Sequence, residues 1–219
     1  MENKISDIQK LKQIYTKKLE NIRKSKLSEN TIKDYAAFVN QTLENVNTES
    51  KDEKYRFFEY LTIEVCNISL YNSLSEKEEI IENIYKHFKQ IFTDDKIFEK
   101  YLNLIKEIFI ENKYPYFEMQ DKILGLLLEM LKQNGKVDKT INFLKKELNQ
   151  KESDALAIFL LKLIKKYKGK NKAVIEAEKY LYSPQICDYL IKYYQTNPNK
   201  LRQILARIIK EGSDELHEK

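Results

Sequence analysis

The chain is poor in everything that interrupts a helix. It has 4 Gly and 3 Pro in 219 residues, and no Trp. The glycines, Gly125, Gly135, Gly169 and Gly212, stand far apart. That excludes a phosphate-cradling loop or a dinucleotide fingerprint, both of which need glycines within one turn. The two cysteines, Cys66 and Cys187, sit inside apolar helical patterns and read as buried, reduced thiols. His87 and His217 stand alone, His87 reading as half-buried or exposed, and no Cys/His set has the spacing of metal ligands. No serine lies in a nucleophile elbow. The scattered Asp and Glu residues read as helix caps and solvated faces rather than as paired catalytic carboxylates. The expectation is a chain that is not an enzyme, with no cofactor and no metal. No apolar run approaches the roughly 20 residues of a spanning helix, and the first residues lack the apolar stretch of a signal peptide. A cytoplasmic protein with no membrane partner is expected.

What is present favours helix almost everywhere. Apolar residues make up 42% and charged residues 33%, with Leu, Ile, Lys and Glu abundant. The length suits one large domain or two small ones. Apolar residues at helical spacing mark a first helix over 3–26, with Ile5, Ile8, Tyr15, Leu19 and Ile22 on one stripe and Leu11 and Ile14 widening it. A second follows Ser28 as N-cap, with Ile32, Tyr35 or Ala36, Val39 and Leu43 inward. The polar run 45–54 breaks the pattern, and 55–74 resumes it. Ser75 and Glu78 have the spacing of a capping box for a helix reaching Phe92. Asp94 and Asp95 suit the positive end of the next. Further helices are expected over 118–133, 137–149, 153–167, 171–182, 184–196 and 199–211. Their punctuation is Asn134-Gly135, Gly169, Ser183-Pro184 and Asn197-Pro198. That makes about eleven helices and no strand, with a polar tail over 212–219.

The C-terminal half repeats itself. Shifted by 33 residues, Leu127 and Leu128 fall on Leu160 and Leu161, and Met130 and Leu131 on Leu163 and Ile164. In the following helix Ile141, Leu144 and Leu148 fall on Val174, Ala177 and Leu181. A third copy begins 30 residues on, with Leu190, Ile191, Tyr193 and Tyr194, and with Ile204 in the place of Val174. A period near 33 is that of helix-turn-helix solenoids, in which each pair buries its apolar face against the next. Residues 121–211 resemble a degenerate tetratricopeptide-type repeat array, through Ala173, Ala177 and the closing Pro184 of "NKAVIEAEKYLYSP". The large residue and the Gly-Tyr combination usual in the first helix of such repeats are absent. The resemblance implies an all-α, right-handed α-solenoid of helical hairpins with a concave surface for a peptide or protein. Its clearest copies would be 121–150, 153–182 and 184–211. Residues 75–211 would be the stack and 1–74 an N-terminal helical cap.

Charge points to a partner. Residues 1–150 hold 25 Lys+Arg and 25 Asp+Glu, so the surplus of +5 lies wholly in 151–219. Lys165, Lys166, Lys168, Lys170 and Lys172 gather around one helix end, with Tyr167 among them, and Arg202 and Arg207 extend the set. Three readings stay open: a solvated lysine-rich turn, a surface for an acidic protein, and a nucleic-acid surface. Few arginines stand in this region, against the usual habit of phosphate-binding faces. The 15 Tyr, Tyr180, Tyr182, Tyr193 and Tyr194 among them, exceed the needs of a core, and tyrosine favours interfaces. The expected function is a protein-interaction scaffold or adaptor with Tyr193 and Tyr194 beside the lysines. The alternatives are a nucleic-acid-associated protein and an inhibitor or immunity protein of a bacterium or phage, which the Lys/Ile/Asn-rich composition suits.

Overall fold

The computed structural model describes residues 7–24, 29–44, 46, 50–67, 74–113 and 120–211. Among them are eleven α-helices and no strand: α1 (Asp7–Lys24), α2 (Glu29–Glu44), α3 (Lys51–Asn67), α4 (Leu74–Phe88), α5 (Asp95–Phe109), α6 (Gln120–Asn134), α7 (Val137–Leu148), α8 (Asp154–Lys168), α9 (Lys170–Ala177), α10 (Pro184–Tyr194) and α11 (Pro198–Glu211). None is long and apolar enough to cross a membrane. The cap at Ser28, the stripe residues Ile5, Ile8, Leu19, Ile22 and Ile32, the side chains of Cys66, Ser75 and Glu78, and the tail 212–219 lie outside what is described.

Several signals act as their chemistry requires. Asp94 Oδ1 accepts the backbone N–H groups of Lys96 at 3.0 Å and Ile97 at 3.4 Å, closing two donors at the start of α5. Asn197 does the same for Lys200 at 3.2 Å. Gly135 and Gly169 turn the chain at φ +64° and +97°, backbone that side-chain-bearing residues avoid. Others act differently. Ser183 precedes α10 but forms no capping bond through its hydroxyl, and Pro184 opens that helix. The helix expected to reach Phe92 tightens at Lys89–Thr93 into a 3-10 helix, whose three residues per turn carry both Ile91 and Phe92 into the interior. The helix expected to reach 182 ends at Ala177. Short-range bonds follow, from Lys179 N to Glu176 O and from Tyr180 N to Ala177 O. This turn still buries Tyr180 and Leu181.

The chain forms two compact units, one from 1–104 with 113–134 and one from 105–112 with 135–219. The first is built on aromatic residues. Phe58 of α3 meets Phe88 edge-on at 5.7 Å and Phe92 at 4.9 Å, a geometry worth about 0.5–1.5 kcal/mol per pair beyond burial. Tyr101 donates to the Ile123 carbonyl at 3.0 Å and ties α5 to α6. Ile14, placed on the buried stripe of α1 by its spacing, is instead exposed.

In the second unit α7 packs on α8, α8 on α9, α9 on α10 and α10 on α11. Positions matched by the internal shift, on α6 of the first unit and on the helices of the second, behave alike with one exception: Leu128 is half-buried where Leu161 is buried. Leu127 and Leu160, Met130 and Leu163, Leu131 and Ile164, Ile141 and Val174, Leu144 and Ala177, and Leu148 and Leu181 are all buried. Burial of one such aliphatic side chain contributes about 1.5–3 kcal/mol. Buried carboxylates are matched to lysines. Glu147 of α7 takes Lys106 Nζ at 3.2 Å, and Glu176 of α9 takes Lys145 Nζ at 2.6 Å.

Candidate functional site

The C-terminal turn of α8 carries Lys162, Lys165, Lys166 and Lys168, and α9 follows at once with Lys170 and Lys172. Gly169 separates the two helices, and its φ of +97° makes the sharp reversal that crowds these cations into one corner. Their placement beside the negative end of α8 is favourable. Their surroundings then divide them.

Lys168 reaches Asp138 of α7 at 2.6 Å. Lys170 lies over the ring of Tyr193, 4.9 Å from its centre, and Tyr193 donates its hydroxyl to Asn171 Oδ1 at 3.1 Å. Lys166 lies over Tyr167 at 5.2 Å. Tyr194 and Arg207 turn elsewhere. Glu178, 19% exposed in its side chain, accepts the Tyr194 hydroxyl at 2.7 Å and Lys200 Nζ at 3.3 Å. Arg207 donates to the Glu178 carbonyl at 2.9 Å and to Glu211 at 3.0 Å. Burial, with the Glu178 carboxylate, pushes the Tyr194 phenol above its usual range. Tyr194 and Arg207 thus serve a structural hub. Arg202 is exposed on α11.

The tyrosines are less of a surface than their number suggests. Tyr180 is buried and hydrogen-bonds Glu176 at 3.1 Å. Tyr182 is half-buried, and its hydroxyl accepts the Ser153 N–H at 3.4 Å. Tyr167, at 37%, is the one exposed large aromatic among the described residues. A phenol can place its ring inward and still satisfy its oxygen, so counting tyrosines overstates the available surface.

Two cavities flank α8. One, of about 220 Å³, lies between α8, α9 and α10, with Ile158, Leu161, Ala173, Ile186 and Tyr189 as apolar lining and Lys162, Lys165 and Gln185 beside them. Neither Lys162 nor Lys165 has a hydrogen-bond or ion-pair partner among the described residues. The other, of about 340 Å³, lies among α7, α8 and α9. Lys165 and Lys172, both expected in one patch, therefore border different cavities, and Lys168 shares the second with Lys172. Sequence reading passed over Lys162, Gln185, Tyr189 and Glu178. The signals were present: Lys162 and Lys165 share a helix face at i, i+3, and Glu178 is one of three acidic residues between Lys162 and Lys210, so bases surround it. Among the described residues no group of acidic, Cys and His side chains could hold a metal ion.

No family model, curated protein or solved structure matches the chain.

Proposed function

We propose that the chain is a non-enzymatic protein-interaction module of the helical-hairpin, tetratricopeptide-like kind, whose partner presents an acidic surface to α8 and α10. The observation that carries this reading is the 220 Å³ cleft with an apolar floor and the unpaired Lys162 and Lys165. Unpaired surface cations steer an acidic partner and screen with salt. The apolar floor supplies the non-directional part of the affinity. Sequential packing of α7 through α11 supports the solenoid arrangement, in which successive hairpins line one groove. The cytoplasm is the proposed compartment.

The test is fluorescence anisotropy of the full chain with a labelled peptide of mixed glutamate, aspartate and leucine, across a salt series. Binding that weakens with salt and is lost in K162E/K165E supports the reading. Binding unchanged by that double charge reversal defeats it.

Nucleic acid is the second reading, favoured by one observation: Lys170 over Tyr193 and Lys166 over Tyr167 interleave cations with rings, the combination that holds single strands. Titration with generic single-stranded RNA at low salt decides it. Absence of binding there removes it.

A further inference from the structure

The internal repeat accounts for the buried apolar residues of the second hairpin and leaves one aliphatic residue over. Val174 and Ala177 occupy the places of Ile141 and Leu144 and are buried as they are. The same register sets Ile175 against Asn142 of the preceding copy. Both are exposed. Asn142 suits water, whereas Ile175 leaves 66% of its surface in it. Packing within the unit does not require an isoleucine there.

Ile175 borders the 340 Å³ cavity, with Ile141 and Ile164 beside it. That volume falls within the range of about 300–1,000 Å³ usual for small-molecule sites. Lys145, Lys168 and Lys172 surround the isoleucines, and they differ in what they can offer. Lys145 is held by Glu176, whose charge is further matched by Lys179 at 3.2 Å. Lys168 holds Asp138, whose side chain is 74% exposed; such a solvated pair is weak and exchangeable. Lys172 has no partner among the described residues. A fitting ligand covers the exposed Ile175, meets the edges of the buried Ile141 and Ile164 at the cavity wall, and brings one negative charge to Lys172 and Lys168. A neutral alkyl chain leaves the lysines unused, and a sugar or a bare anion leaves Ile175 wet.

We propose that this cavity binds a monomeric, medium-chain amphiphilic carboxylate, with its tail over the exposed Ile175 beside the wall formed by Ile141 and Ile164, and its head on Lys172 and Lys168. The site lies on α7, α8 and α9, and it does not depend on the partner reading of the α8–α10 cleft.

The test is a methyl and amide NMR titration of the isotopically labelled full chain with sodium octanoate below its micelle concentration. Octyl glucoside and anionic phospholipid vesicles serve as parallel arms. The expected result is a saturable shift confined to the isoleucine methyls and the Lys168 and Lys172 amides. K172E weakens it about two- to fivefold, the scale of losing one exposed ion pair, and I175S weakens it about tenfold through lost burial. Both substituted side chains are exposed, and far-UV circular dichroism of the variants checks that the fold is kept. Equal binding of octyl glucoside, binding to vesicles alone, indifference to K172E, or no saturable shift each overturns the proposal.

Discussion

Tyr194 donates its hydroxyl to Glu178 across 2.7 Å, and the same carboxylate faces Lys200 at 3.3 Å and Arg207 at 3.7 Å. One residue after the end of α9 thereby holds α10 and α11 at once. Glu178→Ala removes an acceptor shared by three donors and leaves the Tyr194 hydroxyl unmatched in a half-buried place. The expected loss is about 1–3 kcal/mol, read by urea denaturation. Glu178→Gln keeps an acceptor for Tyr194 and falls between the two. If Glu178→Ala unfolds at the same urea concentration as the parent, the hub has no energetic role.

Glu176 adds a pH dependence. Its burial works to raise its pKa, and the hydrogen bonds and charges of Lys145 and Lys179 more than offset that, so the carboxyl lies below its ordinary value of 4.5. A depressed carboxylate contributes stability above its unfolded pKa and loses it as pH falls through the folded one. Glu176→Gln is therefore expected to cost about 1–3 kcal/mol at pH 7. The gap from the parent should narrow steadily below pH 4.5. Thermal melts of both chains between pH 3 and 7 measure it. A gap independent of pH contradicts the ion-pair account.

How far the residues announced this architecture depends on the range of the interaction that decided each feature. The helices came through because their apolar spacing, the caps at Asp94 and Asn197, and the turns at Gly135 and Gly169 are local. The early end of α9 did not, because Tyr180 and Leu181 are buried both in a continued helix and in the observed turn. The same limit governs the site. The corner of lysines was legible as composition. Its sorting was not, because Arg207 meets the Glu178 carbonyl 29 residues away and Lys168 meets Asp138 across the α7–α8 packing. Ile175 stayed hidden for another reason: an isolated isoleucine on a helix carries no sign of its exposure until its copy in the repeat, Asn142, is set beside it.

The glycines offer a test in opposite directions. Gly125 lies within α6 with nothing within 4 Å of an added Cβ, so Gly125→Ala reduces the freedom of the unfolded chain at no steric cost. It is expected to stabilise by about 0.5–1 kcal/mol. Gly169 also has open space, but its φ is +97°. Gly169→Ala is expected to destabilise by about 1–2 kcal/mol through backbone strain alone. Calorimetric midpoints that move the same way in both variants contradict this reading of the α8–α9 turn.

Cys187 is the last case, and its environment predicts both its reactivity and a stability limit. The residue is 1% exposed, and its thiol donates to the Leu181 carbonyl at 3.1 Å. Burial first, then the carboxylates of Asp188 and Asp154, push its pKa from an ordinary 9.0 up to about 11. In a Cys66→Ser background, native protein at pH 8 is expected to resist iodoacetamide, while urea-unfolded protein reacts promptly, because only the thiolate attacks. A raised pKa also means that the folded state holds its proton longer than the unfolded one. The stability linked to Cys187 is thus complete below pH 9 and is lost as pH climbs toward 11. Tyr180, Tyr182 and Tyr194, whose pKa values burial also raises from 10.0, lose stability over the same range in parent and variant alike, so the difference between the two chains reports on the cysteine. Cys187→Ala lowers stability at neutral pH through lost packing, yet its decline across that interval is expected to be shallower than the parent's. Parallel slopes in urea titrations at pH 8, 9 and 10 would show that the thiol has the same pKa in the folded and unfolded states and carries no alkaline penalty.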